Sequence, residues 1–425
     1  MAAARVAMFQ GLIKPVRVAS GSMAESLLGP HFEVTCGDCG FAFACDADHP
    51  PAGGMAVCPN CGYRRSEVAQ NEVVPGQRVL IDRSAAFLRR PRRWQVFAFR
   101  SPDDADSLSV KRIVGLPGEH VEIREGDIYI DGRIARKSLD ELRPMAIEVH
   151  DSAYVPTHSE SLPRRWQADS SETAWRTTQR GFEFHADGDE SGGGDVAHGE
   201  GEFDWLTYHH WRTFALPAYR AEEAPIVDSY AFNQSASSPP VAVGDLYLTC
   251  RLEMTPGSRM AIRGHDGRST FVVELPCDEH RVRLVRDESV LREAALGTNP
   301  CDRPVTIEFA LCDRQVLLAI DGRSVLAERY DAVDRPFSPT ARPLALGVAE
   351  GTVRIERLQV LRDVYYLDPS GLDYGWSPDP LADNEWLVMG DNPAVSRDSR
   401  HWSRAGLPRN LLVGKVLPFR LAGER

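Results

Sequence analysis

The chain has 425 residues, 43% of them hydrophobic and 26% charged, with a formal net charge of −12. This is a globular mixture, long enough for about two to four domains. The acidic balance argues against a nucleic-acid binder, which would present a basic face. No apolar run reaches the roughly 18 residues that a membrane-spanning helix needs.

In chain order, Val6–Ile13 is apolar but too short to span a membrane, and it lacks the layout of a signal peptide. Val16–Ala19 reads as a strand. The turn at Gly21 that follows allows a sharp bend and exposes the next side chain, Ser22. Residues 31–66 are rich in Cys, Gly and Pro. Arg78–Asp82 and Trp94–Phe99 are β-rich segments bounded by turn residues. Between them, Arg89–Arg93 reads as a solvated basic loop, with contact to anionic lipid as its functional alternative. A hairpin is expected over Asp127–Ile134, where Asp131-Gly132 is a two-residue turn signal.

Composition changes near residue 150. Residues 151–200 are polar and read as a connecting segment, with Glu190–Asp195 an exposed loop. From 201 to 365 short alternating strands recur, among them Leu246–Leu252, Ser269–Leu275, Val305–Ala310, Val316–Gly322 and Val353–Leu358. Their spacing points to an antiparallel β-sandwich. The expected fold class is therefore mainly β.

Three segments carry candidate chemistry. Ser20-Gly21-Ser22-Met23 follows a strand and offers a hydroxyl, which is a weak nucleophile until a base takes its proton. Lys111, in Val110-Lys111-Arg112-Ile113-Val114-Gly115, is the candidate base. Its amine must be neutral near pH 7, so its pKa must fall from about 10.4 toward about 7–8. Burial among apolar neighbours supplies shifts of up to about 3–5 units. The third segment is Met389-Gly390-Asp391-Asn392 through Ser396-Arg397-Asp398-Ser399-Arg400. Here Asp398 and Arg400 are placed to pair, and Ser396 to hold the lysine amine.

Together and in this order, these segments resemble the signature boxes of the signal peptidase I family, with Arg78–Asp82 like the strand box between the first two. The resemblance covers roughly residues 14–30, 73–137 and 365–420. It implies a largely antiparallel β catalytic domain and a membrane-associated endopeptidase acting on the extracytoplasmic face. Such an enzyme removes signal peptides from preproteins after small residues in an Ala-x-Ala pattern. By position, Ser22 resembles the acylated serine and Lys111 the base. Ser20 resembles a side-chain oxyanion donor acting with the Ser22 backbone N–H, and Ser396 the residue that orients the lysine. Asp398 and Arg400 resemble a structural ion pair, and Gly390, Asp391 and Asn392 a supporting turn. No cofactor is implied for catalysis. The sequence departs from the family at Ala19, Pro393, Ser403 and the stretch after Met23, and no N-terminal membrane helix is visible. Either the chain begins short of that helix, or the enzyme docks by an apolar surface and partners.

Cys36-x-x-Cys39 and Cys58-x-x-Cys61 are separated by 18 residues, the pattern of a four-cysteine zinc ribbon. A structural Zn²⁺ is expected, with two disulfides or free thiols as the alternative. The other five of the nine cysteines are scattered, and the odd count suggests no disulfide framework. Residues 201–365 resemble concanavalin-like jelly rolls with an unknown ligand. In this region Trp205, Tyr208 and Trp211 read as core, with a sugar-stacking platform as the alternative, and the adjacent His209 and His210 make a poor metal pair.

The expected organisation is a discontinuous catalytic domain (1–30, 67–150 and 366–425), a zinc-ribbon-like insertion (31–66), the connecting segment (151–200) and an inserted sandwich (201–365). Two other readings compete. One is a catalytically weak or inactive scaffold that binds through its sandwich. The other is a self-cleaving repressor, for which the acidic chain offers no DNA-binding helical domain.

Overall fold

A seven-stranded antiparallel sheet gathers segments from both ends of the chain. Its order is Ile13–Arg17, Arg78–Asp82, Leu412–Pro418, Val96–Arg100, Leu108–Gly115, Glu385–Met389, Leu407–Pro408. The computed structural model describes residues 11–68, 72–104, 106–158, 161–186, 202–214, 220–235, 239–277, 279–297, 299–301 and 303–418. The expected loop Glu190–Asp195 and most of the run Val6–Ile13 lie outside these residues. Val79, Ile81, Ala98 and Val416 pack with Val18, Met23 and Leu27 into one small core, while Phe97, Phe99, Ile113, Trp386 and Val388 form another.

The expected hairpin is present as the last two strands of a meander, Val121–Arg124, Asp127–Ile130 and Arg133–Ile134. Asp131 and Gly132 both have positive φ, 50° and 77°, as a tight hairpin turn of this kind requires. Trp94 stands outside the strand expected for it. The strand runs Val96–Arg100, and Trp94 has φ 67°. The strand expected at Val16–Ala19 lies earlier, at Ile13–Arg17.

Two larger sheets enclose the main core. One has the order Trp175–Thr177, Gly181–His185, Thr352–Arg362, Leu246–Met254, Val305–Cys312, Gln315–Ile320, Arg323–Arg329, with Ile147–Asp151 also paired to Thr352–Arg362. The other has the order Trp166–Ala168, Asp204–Tyr208, Leu344–Glu350, Arg259–His265, Thr270–Pro276, Arg281–Arg286, Ser289–Ala295. Inward residues of both, such as Leu248, Phe309 and Ile355 from the first and Ile262, Phe271 and Leu346 from the second, share one cluster. Burial alternates along Thr270–Pro276, the period-two signature of a half-buried strand. The fold is mainly β, as expected.

The region 151–200 is more than a connecting segment. Trp166–Ala168, Trp175–Thr177 and Gly181–His185 are sandwich strands, and Trp166, Trp175 and Phe184 are buried in its core. Short strands that each bury one or two apolar residues leave the average composition polar, which hid them. The sandwich is entered at Ile147–Asp151 and left through Thr352–Arg362, and these two strands pair antiparallel. Its two ends therefore lie side by side, between strands Leu108–Gly115 and Glu385–Met389 of the seven-stranded sheet in chain order.

The Cys-rich segment makes a three-stranded sheet, Ala42–Asp46, His31–Thr35 and Val73–Val74, beside a two-stranded one, Met55–Ala56 and Ser66–Glu67. Cys277 and Cys301 are joined by a disulfide, a pairing the scattered cysteines did not reveal. Among the described residues no helix is long and apolar enough to cross a membrane.

Candidate active site

Strand Ile13–Arg17 leads into a single 3₁₀ turn, Gly21–Met23, that is buried throughout. Met23 anchors the turn in the core beneath it. Lys111 lies on Leu108–Gly115, opposite Phe97 of the neighbouring strand. Sheet pairing thus brings together two residues 89 positions apart: the Lys111 amine donates to Ser22 Oγ at 2.6 Å. Ser22 and Lys111 are 8% and 5% exposed. Burial lowers the Lys111 pKa to about 8; Asp398 opposes that shift, Arg400 adds to it and Asp391 opposes it. The Ser20 hydroxyl also donates to Ser22 Oγ, at 3.2 Å.

The turn after strand Glu385–Met389 braces the serine loop from the other side. The Asn392 N–H donates to the Ser22 carbonyl at 3.2 Å, and its side-chain amide to the Gly21 carbonyl at 3.0 Å. A Cβ on Gly390 would lie 2.3 Å from the Ser22 carbonyl oxygen and 2.2 Å from Ser396 Oγ, so only glycine fits this close approach. Arg400 grips Asp398 with two bonds, at 2.9 and 2.8 Å. Asp398 also accepts the Gly390 N–H at 2.9 Å. Burial raises the Asp398 pKa, but the Arg400 charge and hydrogen bonds outweigh it and hold the carboxyl well below its ordinary value.

One expected contact differs. The Ser396 hydroxyl donates to Asp398 Oδ2 at 2.7 Å. That bond commits the one hydroxyl proton to the carboxylate, while the hydroxyl's lone pairs stay able to accept from an amine.

Several neighbours of the site were not singled out from sequence. Arg112, next to Lys111, pairs with Asp391; the two lie 279 residues apart and nothing local announced the pairing. Glu25, three residues after Ser22, has its pKa raised to about 7 by burial, with Arg362 opposing the shift. Tyr230, Phe232 and Asn233 come from the segment between strands Arg220–Glu223 and Leu246–Met254 and gave no local signal. The Tyr230 hydroxyl donates to the Asp391 carbonyl at 2.7 Å.

The sulfurs of Cys36, Cys39, Cys58 and Cys61 lie within 4.8 Å of one another. Cys36 and Cys61 are 3.6 Å apart, and Cys39 and Cys58 3.7 Å. A regular tetrahedron with Zn–S bonds of about 2.3 Å has edges of about 3.8 Å, so the four sulfurs fit such an ion. Gly40 and Gly62 follow the two pairs with φ 76° and 72°, and each donates its N–H to the carbonyl of the first cysteine of its pair. His209 and His210 are held apart from any shared ligand: His209 contacts Glu223 at 2.7 Å, and His210 contacts Arg165 at 2.9 Å.

A family model described as signal peptidase, peptidase S26, matches residues 60–172. That span contains Lys111 and lies between the Ser22 and Gly390 segments. A Synechocystis protein named "Probable signal peptidase I-2" is 33% identical over 69 residues, which is 15% of this chain and 30% of that protein. The chain thus spans about a third of the length of this relative. Among solved structures, a carbohydrate binding module, CBM66 from Bacillus subtilis, covers 46% of this chain and 94% of its own, at 11% identity and TM-score 0.29. The Caenorhabditis elegans galectin LEC-6 covers 30% of this chain and 90% of its own, at 15% identity and TM-score 0.21.

Proposed function

We propose that this chain is a serine endopeptidase of the signal peptidase type, with Ser22 as nucleophile and Lys111 as general base. The observation that carries this reading is the 2.6 Å contact between a serine hydroxyl and a lysine amine that is buried and shifted toward neutrality. With the amine neutral, its lone pair takes the Ser22 proton and the direction of the hydrogen bond reverses. Ser22 Oγ then bonds to the scissile carbonyl carbon, and the carbon–nitrogen bond breaks. The lysine returns the proton to the leaving amine. A water molecule, deprotonated by the same lysine, releases the acyl group. Ser20, by rotating its hydroxyl away from Ser22 Oγ, serves with the Ser22 N–H as oxyanion donor, a contribution of about 10²–10³ in rate. Asp398 and Arg400 brace the turn beside Ser22, and the Ser396 hydroxyl is bonded to that pair through Asp398.

The substrates proposed are preprotein signal peptides, cut after small residues in an Ala-x-Ala pattern on the extracytoplasmic face. Leu88 is 81% exposed next to exposed Arg89 and Arg90, a combination suited to an anionic membrane surface. One structural Zn²⁺ is proposed at Cys36, Cys39, Cys58 and Cys61. A closed four-thiolate site leaves no open position for substrate and would fix the local fold only. The sandwich is left as a binding or spacer module of unknown ligand.

The test is cleavage of an Ala-x-Ala preprotein by wild type, Ser22→Ala and Lys111→Ala. Loss of cleavage in both variants is expected. Equal activity in all three would sink the reading and leave a binding scaffold in its place.

A further inference from the structure

Segment Tyr230–Gln234, contributed by the large insertion, sits between the four-cysteine centre and the Ser22 turn. A Cβ on Gly21 would lie 2.3 Å from the Phe232 ring, and the Phe232 carbonyl accepts the Asp46 N–H at 3.0 Å. Gln234 holds Val57, the residue before Cys58, at two points. Its Oε1 accepts the Val57 N–H at 2.7 Å, and its Nε2 donates to the Val57 carbonyl at 2.8 Å. The next residue back, Asn233, exchanges two amide hydrogen bonds with Asn392, at 2.5 and 2.9 Å. Asn392 in turn donates to the carbonyls of Gly21 and Ser22. Both hydrogens of the Asn392 amide are then used, one on Asn233 and one on Gly21, so the orientation of this side chain is fixed at both ends.

We propose that Asn233 and Gln234 are positioning residues that tie the metal state of the Cys36, Cys39, Cys58 and Cys61 centre to the placement of Ser22. The proposal rests on the peptidase and zinc readings above. Every link from Cys58 through Val57, Gln234, Asn233 and Asn392 to Ser22 is a covalent bond or a hydrogen bond. A metal held by Cys58 fixes the backbone that Gln234 grips. Without it, Val57 and Cys58 lose a cross-link to Cys36 and Cys39, and the strain passes to the amide pair. The segment also borders a cavity of about 450 Å³ lined by Cys58, Tyr230, Asn233, Gln234, Arg362 and Ala394, which gives it room to shift. A displacement of about 1 Å at a reacting group costs on the order of 10²-fold in rate, so a small shift is enough to matter.

The experiment compares full-length wild type, Asn233→Ala and Gln234→Ala, each as the zinc-loaded protein and after chelation. Zinc content, kcat, KM and amide hydrogen exchange over residues 20–27 are measured. Asn233→Ala is expected to keep one zinc per chain and an unchanged KM while kcat falls about tenfold. Zinc removal is expected to raise exchange over residues 20–27 in wild type and to add little in Gln234→Ala, where exchange is already raised. Should Gln234→Ala fail to fold, Gln234→Glu keeps the acceptor for the Val57 N–H, loses the donor, and is measured the same way. The proposal is overturned if the purified chain holds no zinc, if zinc removal raises exchange equally in wild type and the Gln234 variant, or if Asn233→Ala leaves kcat unchanged. The exchange measurement needs no turnover, so its failure is distinct from a failure of the peptidase reading.

Discussion

Arg112 and Asp391 form a two-pronged ion pair, Nε to Oδ1 and Nη2 to Oδ2, with 3% and 1% of the two side chains exposed. The pair joins the strand that carries Lys111 to the turn that carries Asn392, so it fixes the distance between Lys111 and the turn that supports Ser22. Arg112 also donates to the Trp94 carbonyl. This ties down the residue with positive φ that stands just before the neighbouring strand Val96–Arg100.

Removing one member of this pair leaves the other charged and buried. Arg112→Met is expected to lower unfolding stability by about 3–5 kcal/mol, read as a fall in the urea midpoint at unchanged slope. A loss below about 1 kcal/mol would show that Asp391 finds another partner or neutralises cheaply.

Activity is expected to rise with pH through about 8, where the buried Lys111 loses its proton. The folded pKa lies below the ordinary value of 10.5, so between these two values the folded chain binds fewer protons than the unfolded chain. From this group alone, stability therefore rises with pH across that window and is lowest below it. Asp398 favours the protonated amine, so Asp398→Asn should move the activity limb to lower pH while destabilising the fold by leaving Arg400 unpaired. A limb that stays in place would separate Asp398 from the titration of the base.

Gly390→Ala places a methyl group against the Ser22 carbonyl and the Ser396 hydroxyl. Backbone and a bonded side chain cannot yield as a free side-chain tip does, and overpacking of this kind costs about 1–3 kcal/mol. A loss of cleavage larger than the loss of stability is expected, because the displaced atom belongs to the nucleophile's own residue. The checks are kcat and a thermal melt on the same preparation.

The Cys277–Cys301 disulfide bridges residues 24 apart within the sandwich. Cys277→Ser with Cys301→Ser is expected to lower sandwich stability by about 3 kcal/mol and to leave the Ser22 and Lys111 sheet unaffected. A calorimetric scan resolves the two. A matching drop in cleavage at a temperature where the sandwich is still folded would contradict this separation.

By itself, the sequence determined the ingredients of the candidate site. Ser22, Lys111, Gly390, Asp398 and Arg400 could be singled out because their short segments, taken together and in order, resemble a family's signature boxes, each written out in a few neighbouring residues. The alternating strands of the sandwich and the two cysteine pairs were legible for the same reason: periodicity and spacing are local properties. Tertiary structure alone decided what meets what. It paired Arg112 with Asp391, drew strands out of the polar stretch 151–200, and set Asn233 against Asn392. These contacts join segments up to hundreds of residues apart, and their geometry is set by sheet order and core packing, which no short window of sequence encodes.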